Sequence, residues 1–295
     1  MGTPAYPQTA DDVARALFTT SVGPGWELLT WMAEARYLTA DLAALRYYPT
    51  SRGVRTATRR LAQLQQWQID GQPIVATRPS RIPRPVFHLT EAGARLVADY
   101  LQQPVRSFWH EAIGRVSDGI LLHYLAVTEF EVALRWHAAR CGGQVLNWTR
   151  EPVIETDAGE LRPDAAITYT QNGRTWRYAV EIDRATESPA KFASKLPKYA
   201  SLHKAPYRVF WDDLPDCLVV AVSGGMARAQ RLMDEINRMP RGADDYRRFK
   251  YVSAEEIYHL PLSTAGALPQ VATGFELEAC LASKQGEVVR RAVFG

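Results

Sequence analysis

The chain has 295 residues, 46% of them hydrophobic and 23% charged, with a formal net charge of +3, which is room for one large or two ordinary soluble domains. No apolar run approaches the ~18 residues of a membrane span, and Met1 to Pro7 lack the basic-then-apolar pattern of a secretory signal, so a cytoplasmic protein with no membrane partner is expected. Cys141, Cys217 and Cys280 are scattered and odd in number, which fits a reducing compartment and supplies neither a disulfide framework nor a zinc knot.

In chain order, Thr9 can cap a first helix that carries Asp11 and Asp12 in its opening turn, where carboxylates suit the helix dipole. A second helix is expected over about 26–37, and a third over 40–48, capped by Thr39 and closed by Pro49. A fourth runs from about Arg52 to Gln68, with Val54, Ala57, Leu61 and Leu64 at helical spacing. Its opposite face offers Arg52, Arg55, Arg59, Arg60 and Gln63. Two short apolar runs, 74–77 and 86–89, flank a basic, Pro-rich tip with Arg78, Arg81 and Arg84, and read as a hairpin; a helix to about Leu101 follows.

Helix, helix, basic helix, basic hairpin, helix is the order of a winged helix-turn-helix, and the segment from Arg36 to Leu101 resembles that superfamily. The resemblance implies that the basic helix enters the major groove of double-stranded DNA while the hairpin touches the backbone or adjacent minor groove. Between Arg46 and Arg84 there are eight arginines and one acid, Asp70. A local excess of this size suffices for phosphate contacts; the plainer alternative is a solvated face.

Gln102-Gln103-Pro104 marks a boundary, so the expected domains are 1–104 and 118–260, with a linker at 105–117 and an extension at 261–295. The linker, with Phe108 and Trp109, suggests a short helix. A long helix should run from Ser117 or Asp118 to about Arg140, where Gly142-Gly143 stops it. It is apolar nearly all round, which implies deep packing or a homodimer contact. Glu129 and Glu131 cannot share a face, so at most one could support a site on a neighbouring sheet; surface charge is the simpler expectation.

The second domain should open with a strand over about 144–155 and an Asp157-Ala158-Gly159 turn. Residues 161–183 then hold two β-prone runs around Asn172-Gly173, the strongest short-range hairpin signal. A type I′ turn there sets Gln171 opposite Arg174. Ile167 then faces Tyr178 and Tyr169 faces Trp176 on one side; Thr168 faces Arg177, Ala166 faces Ala179 and Asp164 faces Glu181 on the other. Asp183 shares the face of Glu181. Opposed carboxylates repel unless a cation lies between them, and oxygen ligands of this kind suit Mg²⁺, with Mn²⁺ as substitute. Solvated charges on an open face are the alternative.

Ser188 should cap the next helix, with Pro189 at its first position and a kink or restart near Ser194 because of Pro197. Lys191, Lys195 and Tyr199 recur every four residues along it, and four of the six lysines lie between 191 and 204. Lysine is a compact charge suited to a site beside a phosphate or attacking water. A strand at 217–222, a helix at 227–239 and a strand near 249–252 complete the domain, and a tail helix over about 275–292 follows.

The order α-βββ-α-β, with Pro163-Asp164 on one strand and Glu181 on the next, resembles the PD-(D/E)XK, restriction-endonuclease-like superfamily, with a mixed central sheet flanked by helices. Together with the winged helix and the stretch Glu181-Ile182-Asp183-Arg184, then Lys195 and Tyr199, the pattern is similar to the replication-relaxation family of plasmid and mobile-element proteins. The resemblance implies an Asp and a Glu that bind Mg²⁺ to activate water against a phosphodiester, with an assisting Lys. It makes Asp164, Glu181 and Asp183 the metal set, Lys195 or Lys191 the assisting base or cation, and Asp183, Tyr199 and Glu129 supporting groups. It departs from the nuclease motif at Asp183, where a lysine is usual. Three readings stay open: a DNA-binding protein of mobile-element replication or transfer with other replication proteins as partners, an active endonuclease, and a transcriptional regulator whose second domain dimerises or binds a partner.

Overall fold

The computed structural model describes residues 6–253 except 20–24, 50–51, 110, 205, 223–226, 229, 233 and 235–248. The expected extension and tail helix lie outside the described residues, as does most of the helix expected over 227–239. Two compact units divide between Val132 and Ala133.

In the first unit, Thr9 accepts from the Asp12 amide and opens α1 (Ala10–Thr19). α2 (Trp26–Ala35) leads to a two-residue strand, β1 (Leu38–Thr39), and Thr39 caps α3 (Ala40–Tyr47) through the Leu42 amide. α4 (Gly53–Gln66) follows, and a Cβ on Gly53 would meet the Tyr48 carbonyl oxygen at 2.0 Å, so the close approach requires glycine. After two-residue strands β2 (Gln68–Ile69) and β3 (Gln72–Pro73) come β4 (Val75–Arg78) and β5 (Val86–Leu89), which pair antiparallel as expected. β1 adds to the far side of β5, giving the order β1-β5-β4. Thr90 caps α5 (Glu91–Leu101). Leu28, Leu29, Met32, Tyr37, Leu61, Leu64 and Val97 are among the buried core.

Residues 105–117 do not form a linker helix. They contain two short 3₁₀ turns, and Tyr37 Oη and the Arg78 guanidinium donate to the carbonyls of Ile113 and Val116. That anchoring explains why the division falls inside α6 (Asp118–Cys141), later than the expected linker.

Residues 125–134 of α6 are all buried, which explains a sequence that is apolar nearly all round. The expectation of surface charge at Glu129 and Glu131 is wrong, because both are buried. Glu131 accepts from Trp31 Nε1 at 3.1 Å and from Arg46 at 2.5 Å, and the Arg46 guanidinium also lies over the Trp31 ring. Burial alone pushes the Glu129 carboxyl up to about 8.

The second unit centres on a five-stranded mixed sheet of order β12-β11-β10-β9-β6. β6 (Gln144–Arg150) stops well before 155, where Glu151 takes φ 43 and Pro152 follows. The single strand expected over 144–155 is therefore two elements, since β7 (Ile154–Thr156) pairs with β8 (Gly159–Leu161) in a separate hairpin. β9 (Ala165–Gln171) and β10 (Arg174–Asp183) flank a turn in which Asn172 and Gly173 have φ 51 and 75, the two positive values type I′ requires. Their register is the expected one, from Gln171 opposite Arg174 to Ala165 opposite Val180. β11 (Asp216–Ala221) and β12 (Phe249–Ser253) extend the sheet in parallel.

Between β10 and β11, Ser188 caps α7 (Pro189–Ala193) and the chain restarts as α8 (Leu196–Ala200), the break that Pro197 foretells. Phe192, Leu196, Tyr199 and Trp211 pack with Ala166, Ala179, Cys217, Val219 and Phe249 of the sheet. The opposite face, with Ile167, Tyr169, Tyr178, Val180 and Val220, is buried too. Both faces are covered around Glu181, so its carboxyl group lies in the interior.

Glu129 generates a pH prediction. Between about pH 4.5 and 8 the unfolded chain has released this proton and the folded chain keeps it, so its burial costs stability as pH rises through that window. Glu129→Gln should therefore raise unfolding free energy at pH 8, by on the order of 3 kcal/mol, with little change at pH 4.5, measured by urea unfolding at both pH values.

Candidate functional site

Glu181 lies near the C-terminal end of β10, facing α7 and α8, and it is 3% exposed. An ionised carboxylate at such a position needs partners, and two residues from one short helical segment provide them. Lys195 Nζ donates to Oε2 at 2.7 Å and Tyr199 Oη to Oε1 at 2.6 Å. The four-residue spacing of Lys195 and Tyr199 puts both on one side of the segment. The helix break changes the third member. Lys191 is exposed and pairs with Glu187 at 2.8 Å, so of the two lysines considered for the site only Lys195 reaches Glu181.

Asp164 directly precedes β9. Its amide donates to the Val180 carbonyl at 2.8 Å, and its Oδ2 accepts from the Ile182 amide at 2.6 Å, which places it across from Glu181 as the register requires. Burial first, then the Asp164 charge, push the Glu181 carboxyl up to about 7, against the opposing pull of Lys195 and Tyr199. Burial works against the Lys195 ammonium, but Glu181, Asp164 and Glu187 outweigh it and hold that group protonated above its usual range. Burial and the Glu181 charge raise the Tyr199 hydroxyl well above normal. Lys195 and Tyr199 are thus hydrogen-bond donors near neutral pH, and Glu181 is the member able to exchange a proton there.

Asp183 does not join Asp164 and Glu181 as an expected third ligand. Arg228 takes both its oxygens, at 2.6 and 3.1 Å, and the two side chains are nearly buried. Among the described residues no three His, Cys, Asp or Glu side chains are grouped to hold a metal ion. Arg228 and Cys217 carry no local sequence signal. Cys217 comes beside the site only through the parallel register that sets it opposite Ala179.

The basic residues of the first unit separate into two sets. Arg52, Arg55 and Arg59 are exposed along α4 and Arg81 is exposed at the hairpin tip, and among the described residues none of the four forms an ion pair. Arg60 is 2% exposed, stacks 5.0 Å from the Trp67 ring centroid and bonds Gln63, so it is not on the outer face with them. Its position explains this: Arg60 shares the buried side of α4 with Ala57, Leu61 and Leu64. Arg78 pairs with Asp118 at 3.4 Å, and Arg84 pairs with Asp41.

These features define a mixed α/β protein of two units, with charged side chains gathered in each. The profile of the replication-relaxation family matches residues 29–211, well over half the chain. The chain belongs to the replication-relaxation family. The matched span contains α4, Asp164, Glu181, Lys195 and Tyr199 and stops short of β11 and Arg228. No curated protein and no solved structure matches the chain.

Lys195→Met leaves Glu181 buried beside Asp164 without its cation. The expected cost at pH 8 is about 3 kcal/mol, and Lys195→Met/Glu181→Gln should recover most of it, as read by chemical denaturation of the three proteins.

Proposed function

We propose that the chain is a DNA-binding protein of plasmid or mobile-element replication or transfer, in which residues 36–101 act as a winged helix-turn-helix. The observation that carries this reading is the row Arg52, Arg55 and Arg59, solvent-exposed along α4 and within the same unit as the hairpin that presents Arg81. Four free guanidinium groups on a helix and a loop tip suit the phosphates of double-stranded DNA and guanine edges in the major groove. Family membership supports the replication role.

A second reading takes the expected second domain, 118–260, as a restriction-endonuclease-like body that cuts DNA with Mg²⁺ or Mn²⁺. It is favoured by Lys195 standing on Glu181 with Asp164 across the strand. Two carboxylates suit Mg²⁺, which commonly takes one or two and leaves its other positions to water and phosphate. Asp164 and Glu181 would hold the ion, and Asp183, held by Arg228, would not. A bound ion would supply a water of lowered pKa and charge for the phosphate oxygens. Lys195 would hold its proton and face the phosphate as a fixed positive charge, while Tyr199 keeps Glu181 in one orientation.

For the first reading, Arg55→Glu/Arg59→Glu should lower duplex affinity by about tenfold or more and reduce the slope of log affinity against log salt by about 2. Arg60→Gln should lower the melting temperature and leave that slope alone. Fluorescence anisotropy across a salt series reads both, and unaltered binding in the double variant removes the winged helix from the account. For the second, supercoiled plasmid should be nicked or cut with Mg²⁺ or Mn²⁺, and Asp164→Ala and Glu181→Ala should each abolish it. Intact plasmid with every metal, together with unchanged DNA affinity, would leave binding as the role.

A further inference from the structure

Arg228 lies outside the matched family span and outside every motif in the sequence, yet its guanidinium is among the most enclosed charges of the second unit. It donates from Nε to Asp183 Oδ2 at 2.6 Å and from Nη2 to Asp183 Oδ1 at 3.1 Å. Nη2 also donates to the Glu187 carbonyl oxygen at 2.7 Å. Side-chain exposure is 4% for Arg228 and 8% for Asp183. A single rigid fork therefore holds both ends of the 184–188 loop, a task suited to arginine and poorly met by lysine.

That loop is the only covalent path from β10 to the lysine-bearing helices. Within it Ala185 takes φ 57, a left-handed value that a non-glycine residue keeps only where surroundings impose it. The imposing contact is Asp183 Oδ1, which accepts from the Ala185 amide at 3.1 Å. Beyond it, Glu187 pairs with Lys191 and reaches within 3.9 Å of Lys195 Nζ, and Ser188 caps α7. The Asp183 carbonyl in turn accepts from the Val222 amide, tying the end of β10 to the end of β11.

We propose that Arg228 is a positioning residue for the acidic site: it withholds Asp183 from any cation held by Asp164 and Glu181, and it fixes the 184–188 loop so that Lys195 stays on Glu181. The inference rests on the reading of Asp164, Glu181 and Lys195 as the cation and phosphate site. A carboxylate two residues from Glu181 on the same strand face has the reach to become a third ligand. The Arg228 fork is what prevents it.

The test uses the full chain labelled with ¹⁵N in lysine alone, where six ammonium signals are the most that can appear. The Lys195 signal is the one lost in Lys195→Arg. In Arg228→Gln at fixed pH, the Lys195 signal should shift or broaden, and Mn²⁺ should bind about tenfold tighter by calorimetry, because a third carboxylate is released. In Asp183→Asn/Arg228→Gln the extra ligand is gone, and Mn²⁺ affinity should return to the wild-type value. A merely structural tie would lower the melting temperature of both variants and move neither readout. A folded Arg228→Gln with an unchanged Lys195 signal and unchanged Mn²⁺ affinity overturns the inference. If wild type binds no Mn²⁺, the cation reading falls by itself, and the Lys195 signal alone decides whether Arg228 positions it. Should Arg228→Gln fail to fold, Arg228→Lys keeps charge on Asp183 but loses the fork; a shifted Lys195 signal then supports the role and an unshifted one overturns it.

Discussion

A carboxyl group on the central strand of a sheet that is covered on both faces can ionise near neutral pH only if something charged and something with a proton to donate are brought to it. Glu181 has both, Lys195 on one oxygen and Tyr199 on the other. Much of the second unit follows from that requirement. The turn at Asn172-Gly173 fixes the register that puts Asp164 across from Glu181, and Ser188 and Pro197 set where α7 and α8 begin, so that Lys195 and Tyr199 face inward. Phe192, Leu196 and Trp211 pack with Tyr199 against that face of the sheet. The same enclosure that makes the charge expensive makes each interaction with it strong, since Coulomb energy grows as the surroundings lose polarity.

Arginine in the first unit has two uses that composition cannot separate. Arg46 and Arg60 are packed against aromatic rings, Trp31 and Trp67, and Arg78 and Arg84 are neutralised by Asp118 and Asp41. A guanidinium is weakly hydrated and flat, so it can be enclosed in this way at a cost an ammonium would not bear. What remains for a polyanion is Arg52, Arg55, Arg59 and Arg81. The local excess of positive charge counted along the sequence overstates the free charge, because three of the neutralising acids, Asp41, Asp118 and Glu131, lie outside the counted stretch.

The second unit repeats the pattern with opposite sign. Three acids, Asp164, Glu181 and Asp183, fall on one face by register, which alone suggests a three-carboxylate metal site. Arg228, on a helical residue after β11, takes Asp183 out of that set. Lys191 is likewise drawn off to Glu187, leaving Lys195. In both units the deciding contacts join residues far apart in the chain, 45 positions for Asp183 with Arg228 and 85 for Arg46 with Glu131.

Local chemistry determined a good deal without help. The hairpin and its register, the caps at Thr39, Thr90 and Ser188, the restart at Pro197, the basic helix and the pairing of its following hairpin all follow from rules that act over two to five residues. The end of β6 at Glu151 did have a local signal in Pro152, which the strand expected over 144–155 passed over, whereas nothing local showed that Glu129 and Glu131 would be buried with the apolar residues around them. Tertiary structure decided which charges stay free and which are consumed. Neutralisation depends on distance in space, and the partners come from elements whose approach no local period encodes.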